Sequence, residues 1–345
     1  MFNEIIINKE NLINNIRQVR LNNPNSQVCA MVKANAYGLG LNQVVKMARE
    51  YVDCFGVACL FEAKKVFRLT DLPILIVGPI ERKKPDNRFI YTCHSLDDVK
   101  FLAKYNIELD IHLKVNTGMN RFGISNLNEF SETLSLIKSS KLNFKGLFTH
   151  FATCDEQVDR QYKKFLKFVN IAKLNGFDPI IHADNSGVNN KCNHHLDMVR
   201  IGFDLYFSDC GNFKPVVEIK SKVVQINVLK KGEMVGYNNR CIVEKKTKVA
   251  VVPIGYADGF DMSYIGKFLY VKGCACKVLN ICMDCLMLDV SKTDIKKGDE
   301  IYILDKFNSL KSYANFSNTI EYEVMTKFSF IRARRKVINS YLREQ

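Results

Sequence analysis

A single lysine stands at the end of a β-prone run, in a position that suits covalent chemistry. Lys33 follows the apolar segment 28–32 and precedes a turn of small residues that includes Gly38 and Gly40. A lysine there is sheltered on the strand side and open on the turn side, which favours a lowered pKa and Schiff-base formation with a carbonyl. The same pattern is also typical of a solvated surface cation. The residues alone leave both interpretations open.

Other side chains that could take part in catalysis follow later apolar runs. They are Arg121, His150, Ser186, Arg200 and Tyr256. Three of them have a structural alternative: Arg121 as a loop-capping surface arginine, His150 as a satisfied core histidine and Ser186 as a helix N-cap. Tyr256 lies in a strand that leads into an Asp-Gly turn. Taken singly, none of these residues identifies a site.

The order of secondary-structure elements supplies the common framework for these residues. After a strand at 4–8 and a helix at 12–19, β-prone apolar runs occur at 28–32, 54–58, 74–77, 88–92, 110–115, 144–149, 179–183 and 198–201. Segments of helical period separate most of them, at 41–51, 62–69, 96–105, 127–138 and 162–174. This alternation predicts a TIM-like (β/α)8 barrel.

In such a barrel, working residues collect at the carboxyl ends of the strands. Lys33 follows the first predicted strand, Arg121 the fifth, His150 the sixth and Ser186 the seventh, while Arg200 ends the eighth. All five residues are therefore expected on one rim. Positions after the seventh and eighth strands are also the usual phosphate-binding location of these barrels. Their joint placement favours a site over the separate structural alternatives.

The pattern changes near residue 212. Strand-like segments without long helices between them follow at 216–229, 248–253, 268–272, 276–280, 286–290 and 300–304. We therefore predict two domains, a barrel over 1–212 and a mainly β domain over 213–345, with the first few residues able to join the β domain. The stretch 322–337 alternates poorly and carries a basic cluster of arginines.

Composition narrows the class of protein. Hydrophobic residues make up 47% and charged residues 25%, as in a globular domain. No apolar run approaches the roughly 18 residues of a membrane span, and the N-terminus lacks the basic-then-apolar order of a signal peptide. We expect a cytoplasmic protein without a membrane partner. The net charge of +14 suggests nucleic acid as a partner. The lysines are dispersed, however, and no nucleic-acid-binding motif accompanies them, so we expect a basic surface that suits small anionic ligands.

Twelve cysteines occur, mostly scattered. Cys282 and Cys285 form a CxxC pattern, which could indicate a zinc ligand pair or a redox pair. A zinc site needs two more ligands at matching spacing, and Cys274 with Cys276 is too tight for a second pair. We therefore expect no metal and mostly buried, apolar cysteines.

Several segments resemble alanine racemases, a family of pyridoxal-phosphate (PLP) enzymes. The longest matching segment is VKANAYGLG around Lys33. Further matching segments are LKVNTGMNRFG, THFA, VRIGF, PIGYADG and CMD, so that the resemblance extends over nearly the whole chain. By this resemblance Lys33 carries the cofactor. Tyr37, Ser186, Gly202 and Phe203 are then expected to bind its phosphate through hydroxyl and backbone N–H groups.

The resemblance also assigns the remaining side chains. Arg200 is expected to face the pyridine nitrogen, which stays unprotonated because arginine does not give up its proton. The cofactor is then a weaker electron sink, which suits racemisation. Arg121 is expected near the cofactor's phenolic oxygen and the substrate carboxylate, which Met283 also binds through its backbone N–H. Lys114 occupies a position that some members carbamylate.

Racemisation needs a base on each face of the substrate. The resemblance gives Lys33 the D-substrate face and Tyr256 the L-substrate face, with His150 bridging Arg200 and the tyrosine. A tyrosine of pKa about 10 must shift by about three units, or roughly 4 kcal/mol, and cationic His150 and Arg200 are a plausible source. In the family the tyrosine comes from the partner subunit, which implies a homodimer.

One departure stands out at the C-terminus, where Phe330 occupies the position of a family tyrosine that contacts the phosphate. One hydrogen bond to the phosphate is then missing, or another group supplies it. The expected activity is an isomerase that converts L-alanine to D-alanine for peptidoglycan. The alternatives are racemisation of serine or a broader amino-acid range and a barrel-type PLP decarboxylase. Those decarboxylases place an acidic residue where Arg200 stands. A non-catalytic single-barrel PLP-binding protein lacks the β domain that carries Tyr256.

Overall fold

The computed structural model describes residues 2–153, 155–187, 194, 196–237, 240–328 and 332–339. Phe330 lies outside the described residues. The described chain divides into two compact units. The barrel unit comprises residues 12–34 and 41–214, and the β unit comprises the residues up to Asn11, residues 35–40 and those from Pro215 onward.

The strands in chain order are β1 (Asn3–Asn8), β2 (Gln27–Met31), β3 (Cys54–Val57), β4 (Ile74–Ile76), β5 (Ile90–Cys93), β6 (Leu109–Lys114), β7 (Leu142–Phe148), β8 (Ile180–Asn185), β9 (Met198–Ile201), β10 (Val217–Lys222), β11 (Gln225–Leu229), β12 (Thr247–Val252), β13 (Phe268–Val271), β14 (Cys274–Ile281), β15 (Leu286–Asp289), β16 (Glu300–Leu304) and β17 (Ala333–Ile338). The helices are α1 (Lys9–Asn22), α2 (Lys33–Tyr37), α3 (Leu41–Ala48), α4 (Leu60–Phe67), α5 (Leu96–Ala103), α6 (Leu127–Lys138), α7 (Gln157–Leu174), α8 (Phe203–Tyr206), α9 (Leu310–Phe316) and α10 (Glu321–Lys327).

Strands β2 to β9 form a closed barrel of parallel neighbours in chain order. The predicted (β/α)8 architecture is confirmed, and each predicted barrel run overlaps one of these strands. Helix α6 illustrates why the helices could be predicted from apolar spacing. It buries Phe130, Leu134 and Ile137 at helical spacing on one face. Residues 77–89, which are described throughout, contain no helix, and two prolines in that segment disfavour one.

The β unit contains two sheets, with strand orders β16-β10-β1-β17 and β11-β12-β15-β14-β13. Strand β1 pairs antiparallel with β10 and parallel with β17. The predicted mainly β character after the barrel is confirmed. Within the described residues, no helix is both long and apolar enough to cross a membrane.

Two details of the β unit differ from the sequence prediction. The single strand predicted at 216–229 is two strands, because Val223 N–H bonds Asp299 O while Val224 N–H bonds Val251 O, so that consecutive residues pair with different sheets. The poorly alternating stretch at 322–337 contains all but the first residue of helix α10 and most of strand β17. Helix α9 was not predicted. It begins at the N-cap Ser309, whose hydroxyl accepts the Ser312 N–H.

Candidate active site

Lys33 opens a turn of unusual backbone conformation. It is half-buried and begins helix α2 directly after strand β2. Ala34, Asn35, Ala36 and Tyr37 have φ values of 52°, 56°, 52° and 54°, so this single turn is left-handed. L-residues in this conformation cost roughly 1–2 kcal/mol each. The surrounding structure must therefore hold the turn that begins at the lysine.

Glu62 is one of the groups that hold it. Its side chain lies in the first turn of α4, after the neighbouring strand β3. One carboxylate oxygen accepts the Ala34 N–H at 2.7 Å, and the other accepts the Ala58 N–H at 2.8 Å. Charge-assisted hydrogen bonds of this kind are about twice as strong as neutral ones. The sequence analysis missed Glu62, and only its place just after a barrel strand hinted at a role.

Burial lowers the pKa of Lys33 below that of an ordinary lysine, and the positive charges of Arg121 and Arg200 lower it further. The carboxylate of Glu62 acts in the opposite direction. More of the amine is therefore neutral near pH 7 than in a solvated lysine. A neutral amine at a barrel rim fits an aldehyde cofactor that is held through a lysine.

Arg200 is buried inside the barrel unit. Its Nη2 donates to the carbonyl oxygens of Thr149 and Ala183, both at 2.9 Å, and its Nη1 lies 2.5 Å from His182 Nδ1. The guanidinium carbon lies 4.9 Å from the centre of the Phe148 ring. Burial lowers its pKa to about 10, which leaves it protonated at neutral pH. These contacts fix the orientation of a buried cation.

Two histidines that the sequence analysis missed continue this network. His182 Nε2 lies 2.9 Å from His112 Nδ1. Burial and the charge of Arg200 lower the pKa of His112 to about 3 and that of His182 well below its usual value, so both rings are neutral. Because arginine only donates, His182 Nδ1 accepts from Arg200 and its Nε2–H donates to His112. The spacing in the sequence could have indicated His112, because it lies two residues before Lys114 and therefore on the same face of β6.

His150 also lies beside Arg200, but as a neutral ring. Its Nδ1 is 3.4 Å from Arg200 Nη2, and its Nε2 is 3.4 Å from Asn185 Nδ2. Burial, Arg200, Lys114 and Arg121 together lower the pKa of His150 well below its usual value. The expectation of a cationic His150 is therefore wrong. Among these two residues, the positive charge resides on Arg200.

Lys114 and Arg121 complete a cationic cluster with Lys33 and Arg200. Lys114 is buried at the end of β6, and burial with the charges of Arg121, Arg200 and Lys33 lowers its pKa to about 8. Arg121 is exposed in the loop that follows. The charges of this cluster lower the pKa values of Lys33 and Lys114, and four neighbouring basic groups suit a ligand with several negative charges.

Ser186, Gly202 and Phe203 come together where strands β8 and β9 end. Ser186 Oγ accepts the backbone N–H groups of Gly202 and Asp204, each at 3.2 Å. A hydroxyl that accepts two such bonds can still donate its own proton to a ligand. Burial raises the pKa of Asp204 to about 7, which reduces the negative charge beside the cluster. The chemistry of this group fits a phosphate.

Tyr37 lies in the β unit and is buried. Its ring centre is 6.1 Å from that of Tyr322. The adjoining backbone is held by Arg335, which donates to Leu39 O at 2.8 Å and to Gly38 O at 3.1 Å. The predicted phosphate contact of Tyr37 stays a prediction.

Tyr256 begins a short 3-10 helix that is attached to the turn carrying Met283. The Tyr256 N–H donates to Cys282 O and the Ala257 N–H to Met283 O, both at 3.1 Å. A Cβ on Gly255 would lie 2.2 Å from Cys282 O, so only glycine permits this approach. Tyr256 is 47% exposed and Met283 is 53% exposed. Tyr256 also lines an open cavity of about 530 Å³.

An ion-pair network joins these two turns and was missed by the sequence analysis. Buried Asp258 accepts the Gly255 N–H at 3.0 Å and two bonds from the Arg332 guanidinium, at 2.9 and 2.8 Å. Arg332 Nη1 also lies 2.8 Å from Asp284. Burial alone raises the pKa of Asp258, but the bonds from Arg332 and Gly255 outweigh it and lower the pKa overall. Arg332 therefore braces the turn of Tyr256 and that of Met283 together.

We expect Arg332→Gln to lower catalytic activity by about tenfold or more, because it leaves the buried Asp258 carboxylate without its paired charge and loosens both turns. The capacity of Lys33 to bind an aldehyde should be unchanged, because Lys33 lies in neither turn. The matched control is Arg334→Gln, which removes an exposed arginine paired with Glu4. Equal activities for the two variants would contradict the bracing role of Arg332.

The fold and these clusters define a class: a (β/α)8 barrel with a lysine-centred, cationic site at the carboxyl rim, followed by a β unit. A profile described as the alanine racemase N-terminal domain matches residues 7–209, and the alanine racemase C-terminal domain matches residues 216–337. The chain belongs to the alanine racemase family.

Individual relatives agree with this assignment. The chain is 33% identical over 336 residues to an alanine racemase of Staphylococcus saprophyticus, covering 89% of this chain and 87% of the relative. An alanine racemase of Fusobacterium nucleatum is 34% identical, with 87% of this chain and 90% of the relative covered.

Solved structures show the same similarity. The alanine racemase of Clostridium difficile 630 matches with a TM-score of 0.91 at 28% identity, over 98% of this chain and 96% of that chain. The alanine racemase of Bacillus anthracis with bound L-Ala-P also matches with a TM-score of 0.91, at 27% identity and the same coverage.

Proposed function

We propose that this chain is a PLP-dependent isomerase that interconverts L-alanine and D-alanine and supplies D-alanine for peptidoglycan. The observation that carries the proposal is Lys33, an amine of lowered pKa at the rim of an alanine racemase barrel, near a buried arginine that is protonated at neutral pH. The names of the relatives support alanine as the substrate.

The residues fit the cofactor. Lys33 would hold its aldehyde carbon, and Ser186, Gly202, Phe203 and Tyr37 would hold its phosphate. When bound, PLP supplies an electron-withdrawing ring that stabilises negative charge at the substrate Cα. Arg200 would donate to the ring nitrogen, because its buried guanidinium stays protonated and cannot accept a proton.

Two side chains would move the proton. Lys33 would take or return the α-proton on one face of the substrate, and the Tyr256 phenolate oxygen would do so on the other. Arg200 is the fixed positive charge proposed to favour a phenolate, with neutral His150 relaying hydrogen bonds between them. Arg121 and the Met283 N–H would bind the substrate carboxylate. We also propose that Lys114, with its pKa near 8, supplies enough neutral amine to be carbamylated by carbon dioxide and so to brace Arg121.

The direct test is to incubate the purified protein with PLP and either enantiomer of alanine, and to follow both enantiomers by chiral chromatography. We expect the mixture to approach equal amounts from both directions, because enantiomers have equal free energies in water. Parallel incubations with serine define the substrate range. Carbon dioxide and an amine as the products would instead support the decarboxylase alternative.

Glu62 offers a test of the lysine turn. We expect Glu62→Gln to shift the pH dependence of PLP capture by the apoprotein to lower pH, because removing a carboxylate that raises the pKa of Lys33 lets the amine deprotonate at lower pH. We also expect racemisation to fall by about tenfold, since glutamine cannot accept both backbone N–H groups. Glu81→Gln, at an exposed carboxylate paired with Lys83, is the control. An unchanged capture profile for Glu62→Gln would contradict this role.

We further propose a homodimer in the cytoplasm. Tyr256 and Met283 are both about half exposed in the β unit, and a catalytic pair of this kind needs cover from another surface. The ten described cysteines are all free, as is usual in a reducing compartment. Sedimentation equilibrium tests the first part, and a mass equal to one chain at micromolar concentration would contradict it.

A further inference from the structure

We propose that Cys282 and Cys285 form an oxidative modification site, in which a small-molecule disulfide such as glutathione disulfide converts the two thiols into an intramolecular disulfide. The two cysteines flank the turn of Met283 and Asp284 between strands β14 and β15. At this turn the family resemblance covers Cys282, Met283 and Asp284 only. It therefore assigns Cys285 no role in the proposed reaction.

The backbone brings the two residues within bonding range. The Cys282 N–H donates to Cys285 O at 2.7 Å. Ile281 and Leu286 are paired across the two strands, so the next residues, Cys282 and Cys285, face each other. Facing residues of antiparallel strands have Cα atoms about 4.5–5.5 Å apart, within the 4.4–6.8 Å range of disulfides. Both side chains pack against one apolar cluster that contains Leu279 and Met287. Burial, and after it the neighbouring Cys282 thiol, raises the pKa of Cys285.

Access distinguishes this pair from other neighbouring cysteines. Cys29 and Cys54 face each other on adjacent barrel strands but are buried. Cys282 and Cys285 are both partly exposed in the single chain, so a soluble disulfide can reach them where the proposed partner subunit leaves this turn open. Within the described part of the chain, no group of three or more His, Cys, Asp or Glu residues could hold a metal ion. The pair therefore lacks the further ligands that a zinc site needs.

The reaction balances with a glutathione-type disulfide as the oxidant. The Cys282 thiolate attacks one sulfur of the small disulfide and releases one small thiolate, which gives a mixed disulfide. The Cys285 thiolate then attacks Cys282 Sγ and releases the second small thiolate. The chain loses two protons and two electrons, and one small disulfide becomes two thiols.

The site has a functional consequence that rests on the proposed role of Tyr256. Cys282 O and Met283 O accept the backbone N–H groups of Tyr256 and Ala257, and Asp284 pairs with Arg332. Closing a ring across this turn changes the torsion angles of both cysteines and moves these acceptors. A displacement of about 1 Å in a catalytic group costs on the order of a hundredfold in rate. We expect oxidation to lower racemase activity by about tenfold or more.

The experiment uses the full-length, PLP-loaded protein with an excess of glutathione disulfide, followed by thiol blocking and peptide mass mapping. We expect a peptide linking Cys282 to Cys285, lighter than the reduced form by two hydrogens, and recovery of activity with a dithiol reductant. Cys285→Ser should keep its activity under the same oxidant, and Cys274→Ser, at another partly exposed cysteine, should behave like the wild type.

Each outcome has a defined meaning. Absence of the Cys282–Cys285 link in mass mapping overturns the modification site. A quantitative link with unchanged activity overturns its coupling to Tyr256. Equal inactivation of wild type and Cys285→Ser assigns the loss to another cysteine and also overturns the proposal. If the reduced protein shows no racemase activity, the proposed function fails, while the mass mapping still tests the site.

Discussion

Replacing Lys33 by alanine is expected to abolish both racemase activity and covalent cofactor binding. The variant loses the amine that would hold PLP and one of the two proposed bases, so the rate should fall by about a thousandfold or more. The measurements are chiral analysis of alanine and the visible absorbance of the lysine-bound cofactor. The circular dichroism spectrum should be unchanged, because Lys33 is only half-buried.

Lys46→Ala is the matched control, since it removes an exposed lysine on helix α3 of the same unit. It should retain the cofactor absorbance and near wild-type activity. Full activity of Lys33→Ala would contradict the assignment of the site. An equal loss in both lysine variants would point to a general effect of removing positive charge.

Tyr256→Phe is expected to separate the two directions of proton transfer. The change removes only the hydroxyl, so PLP should remain bound while racemisation falls by about a hundredfold or more. If Lys33 serves the D-substrate face alone, D-alanine in deuterated water should still exchange its α-proton slowly, while L-alanine should not. The measurement is the α-proton signal of each enantiomer by nuclear magnetic resonance.

Tyr237→Phe supplies the control, because Tyr237 is 73% exposed in the same unit. It should racemise at the wild-type rate. Near wild-type racemisation by Tyr256→Phe would exclude a scheme in which this hydroxyl is a base. Equal residual exchange of both enantiomers would show that Lys33 reaches both faces.

The barrel and much of its rim were predictable because one structural rule connects them. Once strands β2 to β9 were read from alternating apolar runs, the carboxyl ends located Lys33, Arg121, His150, Ser186 and Arg200. The strand break at Val223 was not predictable in the same way. The apolar pattern continues through it, and only pairing with two different sheets separates β10 from β11.

The supporting residues were missed because their roles depend on distant partners. Arg332 and Asp258 are 74 positions apart, and the arginine read as part of a solvated basic cluster until its buried partner was known. His182 and His112 are 70 positions apart and meet inside the barrel. The neutral state of His150 likewise follows from burial among Arg200, Lys114 and Arg121, which spacing along the chain does not show.

The two-base scheme is tested most directly by following single turnovers of L-alanine in deuterated water. A base that removes the proton from one face cannot deliver that same proton to the other, so the D-alanine formed first should carry deuterium at Cα. The remaining L-alanine should be mostly unlabelled at early times. Mass spectrometry of the separated enantiomers gives both numbers. D-Alanine that retains the original α-proton in most molecules would contradict the account, because it requires one base to serve both faces.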